Sequence, residues 1–582
     1  MSATATESPA PVGEATVRRR IPSRVPAVAA GVALAAIVVA VCAWPMLSGT
    51  GYILHDWYSH LWYAWHQEQS MKAHHGLPSL FANDTSGVFD PRFAFYGGTL
   101  YAITGALSLV LGHDAAYVVT WVLAFATAYG AWFWLGRLAG LGRWTAHVPG
   151  LVFITSPWYL SSTYVFANWA QTVAFSALLL SLAAAISILR ADRLRPGPAV
   201  ALAVGTLLYT GSHNLTLAWA TSLLLILGVA LLALVPAARA LLTRRGVLRI
   251  VAVALPALLV NGWFLLPAVA YQSHTQIAVD VHTAHGLLRQ SADYVASGHV
   301  FSLTRATADP QLPRFALQLP LLAIGWVLVG LLIARPGPRT PWLRTVLLLL
   351  AAMVGTWVLM SRSGIVLGLP HPLDMLQGLY RLQGYLLLAL GGALIGVLVL
   401  AGRAGPWGRR WTWVLVPVLA LAVVQARGQI TQPLDGPDLL GPVGEKTPYL
   451  TDQSQVGTAD YVTADVPLIR PTQDLTFITF PATTAEQTDR VEATVSAKPD
   501  ELLATNLKVA TPLIEISGAH VVARAPNGNA FLKVDAGARG PTKIVVTAAH
   551  PWPVVAGRVL TLLGLLGLAA GAVALVATRR RR

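Results

Sequence analysis

Residues 379–403 read LYRLQGYLLLALGGALIGVLVLAGR, with no charged residue between Arg381 and Arg403. An uncharged apolar stretch longer than about 18 residues is long enough to cross a bilayer's hydrocarbon as a helix. Working outward, comparable apolar runs recur near 25–47, 115–136, 144–163, 170–190, 197–213, 215–238, 246–268, 316–334, 341–361, 411–425 and 554–577. Over all 582 residues, 55% are hydrophobic and 12% charged. Soluble proteins of this size carry about 25% charged residues, so the chain is expected to be a membrane protein.

The arginines set the topology. They stand in short clusters between the runs: Arg137 and Arg143; Arg190, Arg193 and Arg195; Arg244 and Arg245; Arg335 and Arg339; Arg403, Arg409 and Arg410; Arg579 to Arg582. One further run, 93–112, is about 20 residues long but holds Gly97-Gly98 and several polar groups. If it lies along the outer surface, every cluster falls on one side, as the positive-inside tendency requires. If it spans, all the later clusters fall outside. The expectation is about twelve transmembrane helices, in the plasma membrane, with both termini cytoplasmic. Of the 26 acidic residues, only Glu7, Glu14 and Asp192 then lie on the cytoplasmic side. The +15 net charge is used for orientation, with no basic patches interleaved with aromatics, so nucleic acid is not an expected partner.

Residues 1–24, polar and ending in Arg18-Arg19-Arg20, read as a disordered cytoplasmic tail. The run after them is too long for a signal-peptide core and reads as an anchor that stays. Residues 25–425 form a polytopic membrane domain of about eleven spans with a large outer loop, 48–114. Residues 426–552 are polar and carry short alternating stretches: Leu475–Phe480, Arg490–Val495, His520–Arg524 and Lys543–Thr547. Period-two patterning of β-branched residues between turn residues predicts an extracytoplasmic β-rich domain. Residues 553–582 are the last transmembrane helix and a basic cytoplasmic tail. The single cysteine, Cys42, excludes an intrachain disulfide and a cysteine metal site, and no metal-ligand set is read anywhere. Abundant Ala, Gly, Pro and Arg suit a GC-rich genome such as an actinobacterium's.

The polar residues of interest converge on the outer boundary. The first outer loop begins His55-Asp-Trp-Tyr-Ser-His60-Leu-Trp-Tyr-Ala-Trp-His66. At helical spacing Asp56, His60 and Tyr63 share one face. Asp56 stands at the membrane edge beside two imidazoles, where desolvation and neighbours can tune a carboxylate into a base. The flanking Trp and Tyr residues suit an interfacial aromatic belt, and Asp84 and Asp90 read as ordinary solvated carboxylates. Asn168 and Gln171 follow the third run, Ser212-His213-Asn214 interrupts two apolar helices, and Asn261 lies inside a run. The stretch Pro370–Gln383 holds Asp374, Gln377 and Arg381. His213 reads equally as a helix cap or a ligand contact. Arg381 reads as snorkelling to the interface or as a phosphate-binding fork, the latter favoured because it lies on the side of Asp56.

A first span followed by an outer loop with an early Asp, a Gly-x-Pro and an aromatic stretch opening a surface helix resembles the GT-C superfamily of membrane glycosyltransferases. More closely, HDWYSHLW, GLPSLF, FAFYGG, SHN, NGWFLLPAV and LDMLQGLYRLQGY are similar to the bacterial membrane family labelled 6-pyruvoyl-tetrahydropterin-synthase-related, a historical label without pterin chemistry. The resemblance covers roughly 25–425, and Asp56 alone matches the catalytic motif position. Where GT-C enzymes commonly show a carboxylate pair or a Pro-Pro-Leu, this chain has Asp56-Trp57 and Gly97-Gly98. A weaker similarity extends to actinobacterial arabinofuranosyl- and mannosyltransferases.

The resemblance implies a cell-envelope transferase moving a sugar from a polyprenyl-phosphate donor in the membrane lipid to an extracytoplasmic glycan or lipid acceptor. Asp56 would be the base and Arg381 the phosphate partner, while His60, Asn168, His213, Asn214 and Gln377 would position substrate. No cofactor is called for, and a divalent cation is the one addition left open. The rival reading is a transporter or assembly partner for lipid-linked envelope glycans. Transporters tend to show inverted repeats and midplane charges, which this sequence lacks. No phosphate-binding loop, dinucleotide fingerprint or HExxH motif occurs. The topology has a direct test: cysteines placed at Ser79, Ser302 and Ser454 should react with an impermeant thiol reagent on intact cells. One at Thr578 should not, and labelling there would overturn the orientation.

Overall fold

The computed structural model describes residues 25–48, 57–73, 81–83, 87–164, 168–276, 318–370, 372–376, 378–405, 462–470, 475–480, 490–498, 501–535 and 540–580. Helix α1 (Val25–Ser48) leads to α2 (Trp57–Lys72), the strands β1 (Phe81–Asn83) and β2 (Gly87–Asp90), and α3 (Gly98–Leu111). Then come α4 (His113–Leu138), α5 (Val148–Ile154), α6 (Pro157–Tyr164), α7 (Trp169–Arg190), α8 (Pro196–Ser212) and α9 (Asn214–Leu234). They are followed by α10 (Pro236–Leu241), α11 (Arg244–Leu259), α12 (Gly262–Tyr271), α13 (Gln318–Ala334), α14 (Pro341–Ser361), α15 (Ser363–Leu367) and α16 (Gln383–Arg403). Strands β3 (Thr476–Ile478), β4 (Arg490–Val495), β5 (Leu502–Lys508), β6 (Ile514–Ser517), β7 (Ala519–Arg524), β8 (Asn529–Val534) and β9 (Thr542–Ala548) precede the final helix, α17 (Trp552–Arg580).

Among the described residues, seven helices are long and apolar enough to cross a membrane: α1, α4, α7, α9, α14, α16 and α17. The pair α11–α12, bent by 73°, adds an eighth if it counts as one span. The chain is a multi-pass membrane protein. Helices α8 and α13 have 17 residues each, about 25 Å of rise, at the lower limit for a span. Helix α3 has 14 residues, about 21 Å, too short to cross a core of about 30 Å. The run 411–425 lies outside the described residues.

The run 144–163 is not one continuous helix. It folds as α5 and α6 with a break at Thr155-Ser156. Pro157 lacks the N–H that would continue the ladder. The Ser156 hydroxyl donates to the Phe153 carbonyl (2.7 Å) and accepts from the Tyr159 amide (3.3 Å), so the freed backbone groups find partners inside the protein. Within α16 glycines allow close packing: a Cβ on Gly391 would stand 2.5 Å from the Trp132 ring, and one on Gly384 2.4 Å from Phe175. This helix is therefore the buried spine of the bundle.

The two ends of the bundle differ chemically. At one end arginines reach the last carbonyls of neighbouring helices: Arg190 to Leu138, Arg249 to Ala191 and Arg344 to Leu234. Cations placed there offset the negative ends of the helix dipoles. At the other end sit His60, His213 and the strands. The strands form two sheets, one ordered β1-β2-β5-β8-β7 with β3 also on β5, the other β4-β9-β6. The sequence reading placed the β-rich part in 426–552, but β1 and β2 come from the first outer loop, and Val88 pairs in parallel with Leu507. The pairing is accompanied by apolar burial: Val88, Phe89, Phe95 and Ala268 share one cluster with Leu503, Leu507 and Val546.

Beneath this junction lies a buried ion pair. Arg92 Nη2 stands 2.9 Å from Asp90 Oδ2, with both side chains nearly inaccessible. The Arg92 amide donates to Asp90 Oδ1 at 3.1 Å, and Arg92 Nη1 donates to the Tyr63 hydroxyl of α2. Asp90 is therefore not the solvated carboxylate read from sequence; its side chain is buried against Arg92. Removing one member of a buried pair leaves an uncompensated charge, at a cost of about 3–5 kcal/mol. Asp90→Ala should therefore lower the thermal midpoint of the solubilised protein sharply. The Asp90→Ala/Arg92→Met double variant should recover most of the loss; a double variant no better than the single one would show that the pair is not the anchor.

Candidate active site

On α2, Trp62 and Tyr63 are buried in the helical core. The helix packs so tightly on α3 that a Cβ on Gly105 would meet Gln67 Cβ at 2.8 Å. This burial positions His60, whose Nδ1 lies 2.5 Å from the Tyr101 hydroxyl of α3. Its ring also stacks on Tyr96 and Tyr101 and tilts against Trp169, with centroids 6.4, 5.9 and 6.0 Å away. Burial, reinforced by the charge of Arg381, pushes the His60 pKa down to about 3. His60 is therefore a neutral imidazole across the physiological range.

His213 stands between α8 and α9 and caps α9: its Nδ1 accepts from the Thr216 amide at 3.0 Å. That amide belongs to the helix's first turn and cannot swing away, so Nδ1 must be the acceptor. In a neutral ring the proton then sits on Nε2. Nε2 faces Arg381 Nη1 at 3.4 Å, so two donors point toward one another. An acceptor with negative charge is what such a pair can hold between or beside them.

The surrounding residues close a ring. His213 packs edge-on against Tyr96, 5.7 Å between centroids, and Tyr96 stacks on His60. Trp169, on the far side of His60, opens α7. Two residues on, Gln171 Nε2 donates to the Arg381 carbonyl at 3.4 Å. The Asn168 amide donates to the Ser162 carbonyl (2.7 Å), which places Asn168 at the N-cap of α7, where its side chain does not cap the helix. Asn168 Nδ2, Trp169 Nε1 and Gln383 Nε2 are buried donors with no hydrogen-bond partner among the described residues. Buried donors are rarely left unsatisfied; these three stand at the starts of α7 and α16, and other buried donors, Trp132 Nε1 among them, are likewise without a partner among the described residues.

The candidates read from sequence separate as follows. His60, Asn168, His213 and Arg381 come together at this end of the bundle. Asn214 adjoins them, but its Nδ2 donates to the Phe95 carbonyl and so ties the Phe95-Tyr96 turn to the start of α9. Gly97 makes that turn, with φ of +51°, and a Cβ there would meet the Ser212 carbonyl at 2.3 Å. Asp56 and Gln377 lie outside the described residues. Tyr101 and Trp169 carry no signal in the sequence reading; Tyr96 enters it only within the aromatic stretch before Gly97-Gly98, and Gln383 only as the end of the stretch from Pro370. Among the described residues no group of three or more His, Cys, Asp or Glu side chains could hold a metal ion.

No protein-family profile matches the chain, and no curated protein does. Among solved structures it is similar to the arabinofuranosyltransferase AftD from mycobacteria, with TM-score 0.43 and 16% identity over 76% of this chain and 30% of that one. A mutant form of AftD gives TM-score 0.41 and 14% identity over 89% and 42%. ArnT from Cupriavidus metallidurans, bound to undecaprenyl phosphate, gives TM-score 0.32 and 11% identity over 89% of this chain and 99% of that one. The chain thus spans less than half the length of AftD.

The depressed His60 pKa sets a pH dependence. An exposed imidazole takes up a proton near 6.5, whereas folded His60 does so only near 3. Between those values the unfolded chain binds a proton that the folded one does not, so stability falls as pH drops through that window and is level above it. Thermal melts of the solubilised protein from pH 8 to pH 4 should show this slope, and His60→Gln should flatten part of it. An unchanged slope in that variant would remove His60 as its source.

Proposed function

We propose that this chain is a GT-C-type glycosyltransferase that moves a sugar from a polyprenyl-phosphate donor to an extracytoplasmic glycan or lipid acceptor. The observation that carries the reading is the convergence of Arg381 and the Nε2–H of His213, backed by the buried donors of Asn168, Trp169 and Gln383. Together they suit a phosphate at the membrane boundary. Charge-assisted hydrogen bonds in a site shielded from water are the strong ones, and they strengthen as charge builds on a leaving group.

In the proposed reaction an acceptor hydroxyl attacks the anomeric carbon of the donor sugar. The bond from that carbon to the phosphate oxygen breaks, and polyprenyl phosphate leaves with the electron pair. The hydroxyl proton passes to the Asp56 carboxylate, which precedes α2 in sequence by one residue and His60 by four. Arg381 and His213 take up the charge on the departing phosphate. His60, fixed as a neutral ring, orients the sugar without competing for the proton. A single base suits direct displacement with inversion.

The test is transfer by purified protein from a panel of radiolabelled polyprenyl-phosphate sugars, arabinofuranose among them. Asp56→Asn should lower turnover by roughly 10²–10⁴ while leaving donor binding intact. Undiminished turnover in a well-folded Asp56→Asn variant would remove the base. Arg381→Gln should weaken donor binding by about ten- to a hundredfold, the worth of a hydrogen bond to a charged group. Donor binding without turnover across the whole panel would favour a transport or assembly role.

A further inference from the structure

A second feature of the molecule lies on the other face of α3. Thr99, Ala102, Ile103 and Ala106 recur at the spacing of one helix face and line a groove of about 490 Å³. Tyr101, which holds His60, is off that stripe. The opposite walls are the bent segment around Val260 and Trp263 and the first half of α17, with Leu513 and Ala549 of the strand region above.

The groove has one ionisable lining residue, Arg558. Its other polar groups are occupied within the protein. The Thr561 hydroxyl accepts from the Trp263 amide at 3.0 Å, and the Trp263 indole donates to Thr99 at 3.2 Å. Arg558 has no hydrogen bond or ion pair among the described residues and is exposed. It also stands inside the apolar span of α17, at the end opposite the basic clusters, where a charge is costly and calls for a named partner.

Dimensions identify that partner. Along α17 the groove runs from Val554 to Leu565, about 16 Å at helical rise. This matches one leaflet, half of a hydrocarbon core of about 30 Å. Trp552, exposed and six residues before Arg558, about 9 Å along the helix, marks the interface level. An acyl chain laid in the groove would bring its headgroup phosphate to the Val554 end, four residues above Arg558, within reach of a long arginine side chain that leans toward the N-terminus of its helix. We propose that this groove seats one anionic phospholipid of the leaflet on the strand side, its chain between α3, α12 and α17 and its phosphate on Arg558.

The full-length protein, reconstituted in vesicles of phosphatidylcholine with a minor share of phosphatidylglycerol, would be extracted and its retained lipids identified by native mass spectrometry. Wild type should retain one phosphatidylglycerol in preference to phosphatidylcholine. Arg558→Gln should reduce that preference by about fivefold, the worth of one cation near an anionic headgroup, and Arg558→Lys should keep most of it. Ala106→Trp, which fills the groove and leaves Arg558 in place, should lose the bound lipid altogether. Equal retention by wild type and Arg558→Gln would mean that Arg558 merely reaches for water, and retention undiminished in Ala106→Trp would place the lipid elsewhere; either overturns the proposal.

Discussion

The buried contact of Arg92 with Asp90 and Tyr63 is the constraint on which the arrangement depends. It joins three pieces that are separate in sequence logic: the strand pair of the first outer loop, the turn into α3, and α2. Tyr63 lies one helical turn from His60, so what fixes Arg92 also fixes the ring beside the candidate site. Lys508 of β5 brings a third buried charge to the same place; burial pushes its pKa down to about 8, with Asp90 opposing that shift and Arg92 adding to it. A cluster of this kind is no guarantee of stability, because desolvation offsets much of the Coulomb gain. Its effect is on position: the charges are satisfied in one arrangement of helices and strands.

The helical half was legible because one length scale governs it. Apolar runs must match the hydrocarbon thickness, and most coincide with helices. Where the reading departs, local chemistry is responsible. Pro157 with Ser156 splits one run, and Asn261, which donates to the Leu207 carbonyl and Thr210, sits at the bend in another. Four strands carried readable alternation. Strand β5 did not, because its burial pattern includes Asn506 and Lys508. Asn506 both accepts from the Phe480 amide and donates to its carbonyl, so a side chain does the work of a strand neighbour. No periodicity records that. The site was partly legible for a related reason. Lone polar residues at helix ends can be picked out, whereas aromatic rings that fix them look like any core.

Two orders of burial meet at the site. The imidazoles and Arg381 are held by carbonyls, amides and aromatic faces, with a single amide, that of Thr216, setting the protonation of His213. Under the proposed function, that would place the donors before a substrate arrives, the condition under which hydrogen bonds contribute most to a charge-separating step. Helix α16, closely packed through its glycines, carries Gln383 on the same spine. Small residues that permit close helix contact thus also fix where the donors stand.

The pairing of β2 with β5 links the beginning of the chain to its end, and so imposes an order on biogenesis. Val88 leaves the ribosome about 420 residues before Leu507, a delay of roughly 20–80 s at ordinary synthesis rates. Throughout that interval one edge of β2, together with Phe89 in its left-handed conformation (φ 60°), lacks the strand that completes it. An unpaired edge is a site for wrong associations. The segment that carries β2 therefore has to be kept from other strands until β5 has been made.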